Sequence, residues 1–248
     1  MRYFFEITYH GKSYHGWQSQ DNALGVQTVV EKVLRQLLRD KTIAIVGSGR
    51  TDTGVHCRQQ FFHADIEKPI DSDHLTRRMN AFLPRDIAIR SIRKVRPDAS
   101  ARYAATERTY EYHIHRAKDP LKEGLSFYFF KPVNLQTLNR ASALLLGRHD
   151  FQCFSKVHTD VDHFICQVKE ARWTSKEETL VFRITANRFL RGMVRAVVGT
   201  LLDVGTGKIT LEQFKAILAS GDRRKAGMNV PAEGLYLVRV KYPRRIFL

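Results

Sequence analysis

One glycine-rich segment, residues 47–56, combines residue types that could carry out chemistry. It reads GSGRTDTGVH and contains a single carboxylate, Asp52, two residues after Arg50. A carboxylate near a guanidinium stays ionised and can act as a nucleophile or a base, and Arg50 and Arg195 are the candidate partners. The residues alone leave a second interpretation equally open, in which the glycines form a tight turn and Asp52 hydrogen-bonds to its own backbone.

The same segment does not match the glycine motifs that bind nucleotide cofactors. It lacks the lysine of a phosphate-binding loop, and Gly54 comes two places too late for the dinucleotide fingerprint. We therefore expect no small-molecule cofactor.

The cysteines and histidines do not form a recognisable metal motif. The three cysteines are odd in number and widely spaced: Cys57, Cys153 and Cys166. No C-x-x-C pair is present, so neither a zinc finger nor a deaminase-type zinc site can be assembled from local motifs. His158, His163 and Cys166 are close in sequence, but surface or packing roles are favoured there over a metal site. We expect no metal, no disulfide framework and a reducing, cytoplasmic environment.

A second segment with chemical potential, residues 102–112, interleaves arginines with tyrosines. Such a mixture suits phosphate contact and base stacking, which makes Arg108 and Tyr110 candidates for substrate binding. Alternation would place Tyr110 and Tyr112 on one face of a strand, and on periodicity alone such tyrosines belong to a core about twice as often as to a ligand platform.

The charge balance indicates a polyanionic partner. Of the 248 residues, 41 are Lys or Arg and 25 are Asp or Glu, which gives a net charge of +16. No run of 18 apolar residues and no leader at Met1 is present, so we expect no membrane contact and favour nucleic acid. A merely basic globular protein is the alternative. Because 43% of the residues are hydrophobic, the chain can bury a substantial core.

Hydrophobic periodicity predicts the elements that must position these segments. In the first half, residues 1–100, it predicts a strand over 3–9, a helix from Val26, a strand over 42–46, a strand over 59–65, a helix from Asp73 to Pro84 and a strand over 87–95. The glycine-rich segment is then a loop between two strands.

The second half, residues 101–248, starts in the same order. It is predicted to contain strands over 110–114, 181–185 and 236–240, a helix from Asn134, a helix carrying the apolar stripe from Leu190 to Leu202, and a helix from Thr210 to Gly221. Strands with interspersed helices predict an α+β fold with a mostly antiparallel sheet.

At this point several motifs in register resemble those of the tRNA pseudouridine synthase A (TruA) family. They are GRTDTGVHC at 49–57, RTYEYHI at 108–114, GRHDFQCF at 147–154, FLRGMVRAVVG at 189–199, and DRRKAG and GLYLVRVKYP near the end. Thr53 and Cys57 depart from the usual signature, which leaves open which uridines fit. The resemblance covers the chain from end to end.

The resemblance implies a function and a set of site residues. It implies a homodimeric enzyme with two α/β halves joined across a central cleft, which isomerises uridine to pseudouridine at positions 38, 39 and 40 of the tRNA anticodon stem-loop. Asp52 matches the catalytic aspartate, with Arg50 as its loop neighbour and Arg195 as the arginine that pairs with it. Tyr110 matches the aromatic residue that stacks on the target uracil, and Arg108 and Leu235 are further candidates for substrate contact.

Two other classes of protein remain as alternatives. A non-catalytic tRNA-binding or folding module would keep the basic surface without turnover. A metal-dependent nuclease would need several carboxylates, and the sequence shows no cluster of them around Asp52.

Overall fold

The computed structural model of the chain describes residues 1–157 and 161–248. These residues form ten strands and five α-helices, grouped in two compact units. The first unit comprises residues 1–107 and 236–248, and the second comprises residues 108–235. Strand pairing within each unit is mostly antiparallel, which confirms the α+β class expected from the sequence.

The first unit is a sheet with two helices. Its elements are β1 (Arg2–Tyr9), α1 (Val26–Leu38), β2 (Ile45–Gly47), β3 (His56–Asp65), α2 (Ser72–Phe82), β4 (Ile87–Lys94) and the last strand of the chain, β10 (Leu235–Lys241). Strand β1 lies between β3 and β4 and pairs antiparallel with both. Strand β2 pairs antiparallel with the end of β3, and β10 pairs parallel with its start. The N-terminal end of β3 therefore pairs with β10 and its C-terminal end pairs with β2. The glycine-rich segment lies directly before the N-terminal end, beside β10.

The second unit is a sheet with three helices. Its elements are β5 (Glu107–His115), β6 (Phe127–Tyr128), α3 (Leu135–Ala143), β7 (Gly147–Asp150), β8 (Ile165–Lys176), β9 (Thr179–Ala186), α4 (Met193–Gly205) and α5 (Leu211–Ser220). The order β5-β9-β8-β7 is antiparallel throughout, and the two-residue β6 pairs parallel with β5. Helix α3 packs on β8 and on α4, and α4 is the most deeply buried helix of the unit.

Helices α1 and α5 agree with the helices predicted from the sequence. Helix α1 buries the apolar stripe predicted from Val26 and ends at Arg39, which takes a left-handed conformation with φ 54°. Helix α5 has the predicted capping box, in which Thr210 accepts from the amide of Gln213 and the Gln213 side chain accepts in return, and it ends at Gly221 with φ 63°. Both helices confirm the sequence-based prediction.

The division of the chain differs from the expected halves 1–100 and 101–248 at both ends of the second half. Residues 101–107 group with the first unit because Ala101 N donates to His63 Nδ1 and Thr106 N donates to Lys241 O. The last 13 residues also join it, since β10 pairs with β3 and the Tyr242 hydroxyl donates to Ala101 O. A strand that pairs across the sequence in this way is not visible from local pattern.

Hydrophobic periodicity does not predict β8, the longest strand among the described residues. Its buried residues fall at Cys166 and Val168 and then at Ala171 and Trp173, so the two-residue period changes phase halfway. The change coincides with an irregularity in the pairing with β9 after Val168. A bulge adds one residue to one strand and thereby breaks the alternation that a periodicity search detects.

The three cysteines are free and buried. Burial raises the pKa of Cys57, raises that of Cys153 to about 12 and raises that of Cys166 to about 11. No helix in the described ranges 1–157 and 161–248 has the length and apolar character needed to cross a membrane.

Candidate active site

The glycine-rich segment is a loop between two strands, as the sequence predicts. Strands β2 and β3 pair antiparallel from Ile45 opposite Ala64 to Gly47 opposite Phe62. The amide of Ser48 continues this ladder by donating to Phe61 O at 2.7 Å. The chain then leaves the sheet and returns at the start of β3, so that Asp52 lies between two anchored ends.

Three buried side chains fix the part of this loop that precedes Asp52. The hydroxyl groups of Tyr9 and Thr51 are 2.8 Å apart, and the Tyr9 hydroxyl donates to Gln60 Oε1 at 2.9 Å. The Gln60 amide in turn donates to Gly49 O at 3.0 Å. The exposed fractions of Tyr9, Thr51 and Gln60 are 4%, 8% and 0%. In a buried environment such bonds compete little with water, so they fix the backbone on the N-terminal side of Asp52.

The peptide groups on both sides of Asp52 are fixed as well. The Thr51 carbonyl accepts from Trp17 N at 3.2 Å, and the Asp52 carbonyl accepts from Val55 N at 3.2 Å. Asp52 itself is half-buried, whereas Arg50 is exposed. The loop thus presents a carboxylate at a partly accessible position on a backbone held from within the unit.

The contact between Trp17 and Thr51 depends on Gly16. Its φ is +86°, and a Cβ there would lie 2.3 Å from Thr51 O. Both the left-handed conformation and the close approach of the two backbones require glycine.

We expect Gly16→Ala to destabilise the protein and impair the loop. The strained φ costs about 1–2 kcal/mol, and relieving the overlap adds about 1–3 kcal/mol, so the free energy of unfolding should fall by at least about 2 kcal/mol. Denaturant unfolding of the variant beside Gly49→Ala measures this, because a Cβ at Gly49 meets nothing within 4 Å. Equal stability of the two variants would show that the Gly16 contact is not tight.

The end of the loop is held by His56. Its Nδ1 accepts from Gly11 N at 3.1 Å, and its ring stacks on Tyr236 with the centroids 4.6 Å apart. The Arg58 guanidinium lies 5.2 Å from the Tyr236 centroid. Because Nδ1 accepts a hydrogen bond, it carries no proton here.

In the second unit, Tyr110 and Tyr112 lie two residues apart on β5, but their environments differ. Tyr112 is fully buried and its hydroxyl donates to Pro231 O at 2.7 Å; burial raises the pKa of this phenol. Tyr110 is only half-buried, and its ring packs edge-on against Phe189 with the centroids 5.0 Å apart. The core interpretation therefore describes Tyr112, whereas Tyr110 remains partly accessible.

The other predicted residues of the second unit lie on α4, on β5 and at the first position of β10. Arg195 is half-buried on α4, and its Nε donates to Val230 O at 2.7 Å. Arg108 on β5 donates to Asn187 O at 2.9 Å. Leu235 is 5% exposed at the end of the segment that starts at Val230. Arg195 thus contacts the start of the short segment 230–235, and Leu235 is its last residue, whereas Asp52 and Arg50 belong to the first unit.

The residues that hold the loop could not be identified from sequence pattern: Tyr9, Trp17, His56 and Gln60. In residues 1–157 and 161–248 there is no group of three or more His, Cys, Asp or Glu side chains arranged to hold a metal ion. His163 and Cys166 belong to that range, and His158 lies outside the described residues.

Comparisons with known proteins match the chain almost throughout. A family model described as tRNA pseudouridine synthase matches residues 7–104 and 141–243. A tRNA pseudouridine synthase A from Porphyromonas gingivalis is 46% identical over 251 residues, covering 100% of this chain and 99% of that protein. The proteins of that name from Bacteroides fragilis and Bacillus subtilis are 44% and 37% identical, with 100% and 98% of this chain covered and 98% and 99% of theirs.

Proposed function

This chain belongs to the tRNA pseudouridine synthase family, and we propose that it converts uridine to pseudouridine at positions 38, 39 and 40 of the tRNA anticodon stem-loop. The proposal assigns Asp52 as the catalytic carboxylate, with Arg50 and Arg195 as its cationic neighbours and Tyr110 as the stacking platform for the target base. One observation carries it: in a chain that tRNA pseudouridine synthases match from end to end, the loop around Asp52 is held by buried hydrogen bonds.

The chemical steps of the reaction require one positioned carboxylate of the protein. The bond between ribose C1′ and uracil N1 breaks, the base turns, C5 joins C1′, the hydrogen on C5 leaves as a proton and N1 gains a proton. Atoms and charge balance without electron transfer or phosphate hydrolysis. Asp52 can serve by adding to the base, by attacking C1′ or by taking a proton from C2′, and each route needs its ionised form.

A flipped base suits Tyr110. Chemistry on a base inside a helical stem requires the nucleotide to leave its stack, and an extruded base gains stability on an aromatic face. The partial exposure of Tyr110 supports this role, and the edge-on contact with Phe189 restricts the motion of its ring. Arg108 and Leu235 complete the proposed substrate contacts.

Loss of the C5 hydrogen provides the test. A tRNA transcript labelled with tritium at uracil C5 should release tritium to water when incubated with the protein. A matched transcript with cytidine at positions 38–40 should release none. A chain that binds both transcripts and releases tritium from neither would be a tRNA-binding module. Cleavage of the transcripts that requires a divalent metal and stops on chelation, without tritium release, would favour the metal-dependent nuclease.

We expect tRNA binding to weaken steeply with salt. A protein with a net charge of +16 displaces counterions when it meets phosphates, and about five phosphate contacts give a slope of about −4 in log association constant against log salt. Titrations at four or more salt concentrations measure the slope. A slope near zero would place the positive charge away from the RNA.

We further propose a homodimer that works in the cytoplasm. The end-to-end similarity and the size of an L-shaped tRNA support two copies per functional unit, and three free thiols suit a reducing compartment. Light scattering should give about twice the 28.7 kDa of one chain. A mass of one chain with full activity on dilution would contradict the dimer.

A further inference from the structure

We infer that Tyr9 and Gln60 are positioning residues for the reaction, which act through Thr51 and Gly49 to hold the Asp52 carboxylate in its reactive place. The inference extends the proposed function and rests on the assignment of Asp52. It concerns two buried residues on β1 and β3 that do not themselves reach the substrate.

The hydrogen bonds form one directed chain. The Tyr9 hydroxyl has a single proton, which goes to Gln60 Oε1, so its oxygen is left to accept the proton of the Thr51 hydroxyl. The Gln60 amide nitrogen then donates to Gly49 O. This series of hydrogen bonds starts at Thr51 and returns to the same loop at Gly49. The two neighbours of Arg50, one of which also precedes Asp52, are thereby bonded to side chains of β1 and β3.

Close packing does not fix the position of the loop at Gly49. A Cβ added there would meet nothing within 4 Å, whereas Gly47 packs directly on the Trp17 indole and a Cβ there would lie 2.4 Å from Nε1. The part of the loop next to Arg50 therefore depends on polar tethers more than on close contact.

The chemistry of the buried residues also favours a positioning role. Burying a phenol and an amide costs free energy unless they are hydrogen-bonded, and apolar side chains of similar size would fill the same space without that cost. Here the acceptor at the end of the chain is a backbone carbonyl of the candidate catalytic loop. What the network provides is a fixed loop conformation, and misplacing a reacting group by about 1 Å can cost about 100-fold in rate.

The test compares Tyr9→Phe with Tyr3→Phe. Both tyrosines lie on β1 with 4% exposure, and both lose only a hydroxyl, but Tyr3 contacts Met1 Sδ and Ile70 N instead of the loop. We expect Tyr9→Phe to lower kcat by about 10- to 100-fold with the KM for tRNA within about twofold of wild type. Tyr3→Phe should keep kcat within about twofold at a similar melting temperature.

Three results would overturn the inference: an unchanged kcat in Tyr9→Phe, an equal loss in Tyr3→Phe, or a loss confined to KM. Should Tyr9→Phe fail to fold, Thr51→Val and Thr51→Ser test the same bond. Valine removes the hydroxyl and serine keeps it, so serine should recover most of the rate that valine loses, and equal rates would contradict the network.

Failure of this inference is distinguishable from failure of the proposed function. If Asp52→Asn is inactive and Tyr9→Phe is fully active, only the positioning role falls. If Asp52→Asn keeps its activity, the assignment of Asp52 falls with everything built on it.

Discussion

Asp52→Asn is expected to lower the rate of pseudouridine formation by at least about three orders of magnitude while leaving tRNA binding intact. The amide preserves the size of the side chain and much of its hydrogen bonding, but it cannot act as an anionic nucleophile or base. Binding should stay the same or tighten slightly, because a negative charge that repels phosphates is removed. Single-turnover rates and tRNA titrations measure the two effects separately.

A matched variant controls for the loss of a negative charge. Asp73 lies exposed in the first turn of α2, so Asp73→Asn makes the same change away from the loop. This control should react at the wild-type rate, and circular dichroism should show both variants folded. A folded Asp52→Asn protein that keeps more than a few per cent of wild-type activity would remove Asp52 from the chemistry.

Tyr110→Ala is also expected to give a large loss, about 10- to 100-fold in single-turnover rate. Stacking of a base on an aromatic ring is worth about 1–3 kcal/mol, and the alanine variant forfeits it. Tyr110→Phe keeps the ring, so it should bind tRNA nearly as well as wild type. A slower reaction in the phenylalanine variant would then mean that the hydroxyl takes part in proton movement.

The control for general aromatic contact with RNA is Tyr103→Ala. Tyr103 is 80% exposed, and the Arg102 guanidinium lies 5.4 Å from its ring centroid. We expect this variant to react within about twofold of wild type. If Tyr110→Ala also reacts at the wild-type rate, Tyr110 is a structural residue and the flipped base rests elsewhere.

Much of the fold could be predicted because its signals are local. Helix α5 follows from a capping box and a terminal glycine, and β1 follows from apolar residues at every second position from Tyr3 to Tyr9. Strand β8 was missed because its bulge reverses the phase after Val168. That β10 belongs to the first unit could not be predicted, because its parallel pairing with His56 and Cys57 joins residues about 180 positions apart.

The site was predictable only in part, for a similar reason. Asp52 and Arg50 stand out by composition, but the Tyr9 hydroxyl reaches Thr51 over 42 positions and Gln60 over 51. Periodicity also could not separate Tyr110 from Tyr112, since what distinguishes them is the return of the chain at Pro231.

Mapping of pseudouridine in unmodified tRNA transcripts, after incubation with the purified protein, tests the central claim most directly. We predict pseudouridine at positions 38, 39 and 40 wherever the transcript has uridine there, and none with the Asp52→Asn protein. If the transcripts contain no pseudouridine after incubation with the wild-type protein, or contain it only outside the anticodon stem-loop, the result would contradict the account.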